Sequence, residues 1–412
     1  MSRIKIKNFG PIKEGYQKDG GWMDVKKVTV FIGNQGSGKS TIAKVISTLT
    51  WLEKWLNRYV PDNHKTLVVN FKGHFKYQRI FEYFKKNTLI EYWGEKYHIT
   101  FEGTDTDAIV EIIDNYTYIV PKIMYIPSER NLTTTISEAY GLKGLSGNIF
   151  DFSEELRKAQ EEMNEKYLKL PIGDYKYEYD KKTKQSFVSG TDYRINLLEA
   201  SSGLQSYIPL FLVSRHLSMP TPNDEETFKK NINVNDLMKL NREIQDIELN
   251  DLKKDKDEII AKIKARFYNK CFINIAEEPE QNLFPDSQRI VLYSLLEYNN
   301  RNKGNKLIIT THSPYLINYL TLCVKAENVY KLLKEKKYKL SDPEYTYIND
   351  IVPMSSTVKS KDLVIYELDE KDGIITKLGS FEGIPSDNNF LNKSLGNGNQ
   401  LFDSLLEIEE EL

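Results

Sequence analysis

Cysteine is nearly absent from this chain. Cys271 and Cys323 are the only two in 412 residues. They lie far apart, in neither a Cys-x-x-Cys pair nor a Cys/His cluster, so neither a disulfide framework nor a zinc site is indicated. Both read as buried, inert thiols. No stretch approaches the ~18 to 20 uncharged apolar residues of a membrane span, and the opening Met-Ser-Arg-Ile-Lys-Ile-Lys alternates charge with isoleucine where a signal peptide builds an apolar core. A cytoplasmic protein is expected. Charge of one sign is missing too. With 57 basic against 59 acidic residues the formal net charge is -2, so no global field draws the chain to nucleic acid or anionic membrane. Internal repeats and low-complexity segments are lacking. What is present is core material: 40% apolar and 28% charged residues suffice for a large core and more than one domain.

Residues 3–8 alternate, and 24–32 run apolar and β-branched directly into Gly33, which predicts two strands, the second feeding a loop. Behind Ser40, Ile42, Val45, Ile46, Leu49 and Leu52 recur at three and four, with Trp55 and Leu56 extending the stripe. A long helix therefore starts inside the loop. A helical piece at 74–84 and strand-like runs at 88–93, 97–101 and 108–113 suggest a small α+β insertion. Then come an apolar run at 122–127, a charged helix at 154–167, and a hairpin of 175–180 with 186–198 that leads into a helix carrying Leu204, Ile208 and Leu212. Pro220, Pro222, Asn223 and Asp224 mark an exposed loop. Beyond it Leu237, Leu240, Ile244, Ile247, Ile259, Ile263 and Phe267 suit a helical hairpin or one long helix, neither long enough for an extended coiled-coil arm. Compact apolar strands at 271–276 and 306–311 enclose a helix over 285–298, the order a parallel α/β sheet demands. Residues 362–378 read as a hairpin turning at Lys371, Asp372 and Gly373, ahead of an acidic tail at 407–411.

Gly33, Asn34, Gln35, Gly36, Ser37, Gly38, Lys39, Ser40 and Thr41 satisfy G-x-x-x-x-G-K-[ST] between a strand and a helix. The glycines let the backbone curl so that N–H groups converge on phosphate oxygens, and the helix presents its positive end to the same charge. Lys39 is expected to reach the β and γ phosphates of a nucleotide and the Ser40 hydroxyl to ligand Mg²⁺. The strand at 271–276 ends in adjacent carboxylates, Glu277 and Glu278, which point in different directions and can hold two jobs. Glu277 suits the magnesium shell; Glu278 suits polarising the attacking water. His312, at the tip of the next strand, can contact the γ phosphate and orient that water. Ala200, Ser201, Ser202, Gly203, Leu204 and Gln205 open a helix with small hydroxyl residues, which fits an N-cap and equally a second phosphate-binding helix end. Phe9 or Tyr125 is available to stack on adenine, and either also suits a core.

In order, the glycine loop, Ser-Ser-Gly-Leu-Gln, strand-Glu-Glu-Pro-Glu280 and Thr-Thr-His312-Ser-Pro resemble the ABC ATPase superfamily, in the forms of the OLD and RecF-like AAA ATPases of bacteria. The resemblance implies an ABC-ATPase head: an α/β P-loop NTPase with a mixed sheet, a small α+β insertion, a helical insertion and a C-terminal β-hairpin appendage. Under it 1–66 hold the N-terminal strands, P-loop and following helix, 67–120 the insertion in lobe I, 121–345 lobe II, and 346–412 the appendage. Ser202, Gly203 and Gln205 match the signature that binds nucleotide across a head-to-tail dimer, with Leu204 in place of its second glycine. Glu277 stands at the Walker B aspartate, Glu278 at the catalytic glutamate and His312 at the switch histidine. Phe284 replaces the histidine of the dimer loop that Pro279 and Glu280 begin. Arg130 matches a Pro-x-x-Arg segment between the lobes, read as a surface ion pair or as a nucleotide or partner contact.

The Toprim nuclease of full-length OLD proteins needs a strand-end glutamate and a later Asp-x-Asp, neither of which follows His312. Asp369 and Asp372 read as solvated turn acids. The chain is thus similar to the nuclease-less ATPase subunits of two-gene antiphage systems such as Septu and PARIS, which implies a sensor or regulatory ATPase with a separate effector nuclease. The alternative is a RecF-like or SMC-like ATPase acting directly on DNA. A basic track for it would come from 331–339 or 253–266, both interleaved with acids.

Overall fold

The computed structural model of this chain describes residues 2–60, 66–113, 118–135, 146–219, 232, 234–249 and 255–411. The apolar runs that end in the candidate residues pair with one another. Numbered along the chain, the strands of this central sheet are β1 (Gly15–Tyr16), β2 (Val28–Gly33), β3 (Pro121–Ile126), β4 (Cys271–Glu277), β5 (Lys306–Thr311), β6 (Leu363–Leu368) and β7 (Ile374–Lys377). They lie in the order β1-β7-β6-β2-β5-β4-β3. Every neighbouring pair from β6 to β3 is parallel. The carboxyl ends of β6, β2, β5, β4 and β3 therefore open along one edge, where α/β sheets bind ligands.

Alternate residues of these strands face opposite sides, and each side has its own core. On one side Phe31, Ile275, Ile308 and Tyr366 meet α1 (Lys39–Tyr59), through Ile42, Ile46, Leu49 and Leu52. The same core takes in an antiparallel sheet of Met23–Val25, Ser2–Phe9, Phe84–Trp93, Tyr97–Glu102, Asp107–Ile112 and Thr66–Asn70, in that order. Glu53 fixes the rotation of α1: fully buried, it accepts the N–H of Glu95 at 2.7 Å and of Lys96 at 2.8 Å, and the Tyr92 hydroxyl at 2.9 Å. On the other side Val30, Ile309, Ile365 and Ala276 pack under α2 (Gly147–Glu161) and α3 (Ser202–Ser218). After α4 (Val234–Glu248) and α5 (Lys256–Ala265), α6 (Pro285–Asn300) and α7 (Pro314–Glu335) complete that layer. No described helix is long and apolar enough to cross a membrane.

The α/β class with a mixed sheet is as expected, and several elements differ from the sequence reading. The helix expected at 74–84 is two 3-10 turns, Lys72–Lys76 and Phe81–Tyr83. Arg79 at φ 55° breaks the path between them, while Phe71, Phe75 and Phe84 pack together. The charged helix runs 147–161 instead of 154–167. The helical hairpin forms: α4 and α5 share a small core of Leu240, Ile247, Ile263 and Phe267. The loop around Pro220, Pro222, Asn223 and Asp224 lies outside the described residues.

The hairpin at 362–378 forms as well, but within the central sheet. Its first strand, β6, pairs with β2 along its length, Leu368 opposite Gly33. Its turn is closed by Asp369, whose Oδ1 accepts the N–H of Lys371 and Asp372, the turn role expected of these acids. The acidic tail is the end of a helix, Phe390–Glu411.

Candidate active site

The loop between β2 and α1 is shaped by its glycines. Gly33, Gly36 and Gly38 have φ of 148°, 80° and 100°. A Cβ would stand 2.4 Å from the Leu368 carbonyl oxygen at Gly33 and 3.1 Å from Pro11 Cγ at Gly38, so the backbone runs tight between β6 and the N-terminal turn. Asn34, Gln35 and Gly36 are exposed, Ser40 is half-buried, and Ser37, Lys39 and Thr41 are buried. Lys39 donates from Nζ to the carbonyls of Gly33 at 2.8 Å and Asn34 at 2.7 Å. Burial lowers its pKa, against the opposing pull of Glu278, Glu280, Glu370 and Glu277. The ammonium is thus held at the mouth of the loop, on carbonyls that an anionic phosphate can displace. Ser37 Oγ is buried without a hydrogen-bond partner.

β4 delivers Glu277, 3% exposed. Its Oε2 accepts the Ser128 N–H at 3.2 Å, while Oε1 is buried with no hydrogen-bond partner. The Tyr125 hydroxyl beside it is raised well above its ordinary pKa by burial and then by the Glu277 charge. A buried carboxylate oxygen without a donor is costly, and a cation removes that cost. Glu277 therefore fits a Mg²⁺ shell, with Ser40 at the helix start. The described residues hold no group of three or more His, Cys, Asp or Glu suited to a metal, so phosphate and water would supply the other ligands.

Glu278 has a left-handed backbone, φ 42°, a conformation that costs on the order of 1 kcal/mol for such a residue. Three bonds hold it there. Its N–H donates to the Thr310 carbonyl at 2.9 Å, and its own carbonyl accepts from Arg130 at 2.8 Å and from the Gln281 N–H at 3.0 Å. The turn separates its side chain from that of Glu277 and places Oε2 3.2 Å from His312 Nε2. Glu280, buried, fixes the histidine's backbone: Oε1 accepts the Thr311 hydroxyl at 2.6 Å and the His312 N–H at 3.0 Å.

The hydrogen bond to Glu278 raises the His312 pKa, and the same bond lowers that of Glu278. With the side chains 40% and 26% exposed the pair is screened and adds little stability. Its effect is to keep the Glu278 carboxylate ionised below the ordinary range. His312 is accordingly expected to titrate above the usual value of about 6.5 and, in Glu278→Gln, to fall back toward it, since the amide cannot stabilise the imidazolium. Histidine Cε1–H chemical shifts against pH measure this. An unchanged midpoint would remove the pair from the site.

The remaining candidates fall elsewhere. Ser202 is exposed at the start of α3, and the Gln205 amide turns back to donate to the carbonyls of Leu197 at 3.2 Å and Leu198 at 2.8 Å. Among the described residues no hydrogen bond joins Ser202, Gly203 or Gln205 to the loop at 33–41. Gly203 packs on the turn after β4, where a Cβ would stand 2.8 Å from the Asn282 carbonyl oxygen, and Phe284 beyond that turn is 72% exposed. Phe9 and Tyr125 cannot stack on adenine: Phe9 is fully buried among Phe75, Tyr83 and Phe84, and Tyr125 is 4% exposed. Arg130 is neither a surface ion pair nor a nucleotide contact. It is fully buried and donates only to backbone carbonyls. Both cysteines are free, and burial pushes the Cys271 thiol up to about 12. Sequence reasoning missed Glu370, whose Oε1 accepts from the Asn34 amide at 2.9 Å, because nothing in the sequence places the β6 turn beside the loop.

No family model matches this chain, and no curated protein does. Solved structures similar to it include an SMC head domain from Thermotoga maritima, 11% identical over 92% of this chain and 98% of that one, TM-score 0.32. Another is an Smc head with an extended coiled coil bound to the C-terminal domain of ScpA, from Pyrococcus furiosus, 10% identical over 97% and 100%, TM-score 0.33. A third is a dimeric ATP-binding cassette in a post-hydrolysis state bound to ADP and Pi, 13% identical over 92% and 100%, TM-score 0.29.

Proposed function

We propose that this chain binds and hydrolyses ATP as an ABC-type head, closes over the nucleotide as a head-to-tail pair, and serves as the sensor or regulatory subunit of a bacterial antiphage system that controls a separate effector nuclease. One observation carries the ATPase reading: a sheet edge gathers the Lys39 loop, the orphaned carboxylate oxygen of Glu277, and a Glu278 held ionised against His312. The loop and helix start bind the phosphates, Glu278 takes the proton of the attacking water, and His312 orients it. A bound Mg²⁺ would neutralise charge on the β and γ phosphates.

These groups reach the nucleotide from one side. The Ser202 helix start, exposed and unattached to its own loop, suits the phosphate of a second copy, with the exposed Phe284 to cover beside it. Two-fold symmetry would satisfy both sites at once. Lys39→Ala and Ser202→Arg proteins are each expected to be inactive alone, and co-expressed as a verified mixed dimer to regain part of the ATPase rate through one intact composite site. No recovery in single-turnover measurement would argue for a site completed within one chain.

The regulatory role rests on the motif forms. Co-purification with the product of a neighbouring nuclease gene, and ATP-dependent change in that nuclease's activity, tests it. The second reading, direct action on DNA, draws on Lys331, Lys334, Lys336, Lys337 and Lys339, all exposed. It requires DNA affinity that falls steeply with salt and weakens when these lysines are replaced. In the other track Lys262 pairs with Glu258 and Arg266 with Glu243, as Lys331 does with Glu335 in the first.

A further inference from the structure

Arg130 is a buried guanidinium that, among the described residues, forms no ion pair, although the charges of Glu280, Glu278, Glu277 and Glu129 act on it. Its Nε donates to the Ser206 carbonyl at 3.0 Å, one terminal nitrogen to the carbonyls of Pro127 at 3.2 Å and Glu277 at 2.8 Å, and the other to that of Glu278 at 2.8 Å. These acceptors belong to the segment after β3, the end of β4, and the first turns of α3. Only a rigid planar fork with several donors can join them at once; an ammonium has three donors on a flexible stem and no fork.

Pro209 loosens the start of α3 where this happens. It lies inside the helix and has no N–H, so the carbonyl of Gln205, four residues back, loses its helical donor. The Thr134 hydroxyl takes that place at 3.2 Å. The first turns of α3 are therefore tied to the 127–134 segment as well as to their own helix, through Thr134 and Arg130. The Ser206 hydroxyl adds a bond to Gln281 Oε1 at 3.3 Å, and Gly203 lies against the Asn282 carbonyl.

We propose that Arg130 is a positioning residue for hydrolysis: it clamps the first turn of α3 to the Glu277 and Glu278 strand end, so that a partner's arrival at Ser202 sets the aim of the Glu278 carboxylate. The inference rests on the ATPase reading above. Glu278 is the link that responds. Its left-handed backbone is held by the Thr310 carbonyl on its N–H and by Arg130 and the Gln281 N–H on its carbonyl, and losing the Arg130 bond leaves that carbonyl only its local Gln281 donor, which loosens the turn. The nucleotide loop shares no bond with Arg130, so binding and hydrolysis should separate.

The test uses the full chain with Arg130→Ala and Arg130→Lys. ATP affinity is expected to stay within about threefold of wild type, while the single-turnover rate falls by about a hundredfold in both. Added methylguanidinium at non-denaturing concentration is expected to restore Arg130→Ala about tenfold and saturably, and to leave Arg130→Lys unchanged, because the lysine stem fills the space. Ser202→Ala should cost less in the Arg130→Ala background than in wild type, since the clamp that transmits it is already gone. Wild-type rates in Arg130→Ala, equal losses of binding and turnover, or additive costs of the two substitutions would each overturn the proposal. If Arg130→Ala does not fold, the affinity and rate of Arg130→Lys decide it by the same split. A wild-type protein that binds no ATP, or binds it without hydrolysis, fails the ATPase reading instead.

Discussion

Lys39→Ala is expected to lower ATP affinity by about two to four decades, the loss of one or two hydrogen bonds from a charged donor to phosphate. Lys39 is the loop's own cation. Nothing else in 33–41 carries positive charge, and the neighbouring charges, Glu277, Glu278, Glu280 and Glu370, are negative and would repel a phosphate that Lys39 no longer screens. The substitution also removes the Lys39 donor from the carbonyls of Gly33 and Asn34, the latter keeping the Ser37 N–H at 3.3 Å, so some loss of stability is expected beside the loss of binding. Comparing thermal midpoints with and without ATP and Mg²⁺ separates the two: the nucleotide-dependent increment disappears even if the baseline shifts. Affinity within threefold of wild type would mean the triphosphate lies elsewhere.

Glu278→Gln should do the reverse, keeping ATP and losing turnover by about two to four decades, the usual contribution of a positioned base. The amide preserves the length of the side chain, and the backbone bonds to Thr310 and Arg130 do not depend on it. What goes is the carboxylate that accepts the proton. Because its pKa is lowered, wild-type activity should persist as pH falls through the ordinary carboxylate range and be lost only below it, when Glu278 protonates. In Glu278→Gln that acid limb disappears along with the rate. ATP retained through gel filtration, with a shift to a dimer, is the expected signature of a site that closes but does not fire. Turnover at the wild-type rate would remove Glu278 from the chemistry.

Local chemistry made part of this site legible. G-x-x-x-x-G-K-[ST] between a β-branched run and an i, i+3, i+4 stripe specifies a strand, a curled loop and a helix within a few residues of one another, and the structure places them so, with positive φ at Gly33, Gly36 and Gly38. The apolar strands ending in Glu277 and before His312 were equally plain, because a strand buried on both faces leaves its mark as an uninterrupted apolar run. Glu278 and His312 could be named from sequence as residues at the tips of such strands.

What the sequence could not decide was which strand lies beside which. Residues 363–368 read as part of a hairpin, and only long-range pairing puts them against the P-loop strand, bringing Glu370 to Asn34 and the Leu368 carbonyl against Gly33. Strands 84–93 and 97–102 join Ser2–Phe9 in one sheet for the same reason. Arg130 is the clearest case. An arginine in a polar turn reads as exposed, and its burial depends on carbonyls from residues 76, 147 and 148 positions away converging on one guanidinium. Side-chain type and period are written locally, so motifs and elements can be read from them. The satisfaction of a buried donor is a property of distant backbone brought together, and the tertiary structure alone decides it.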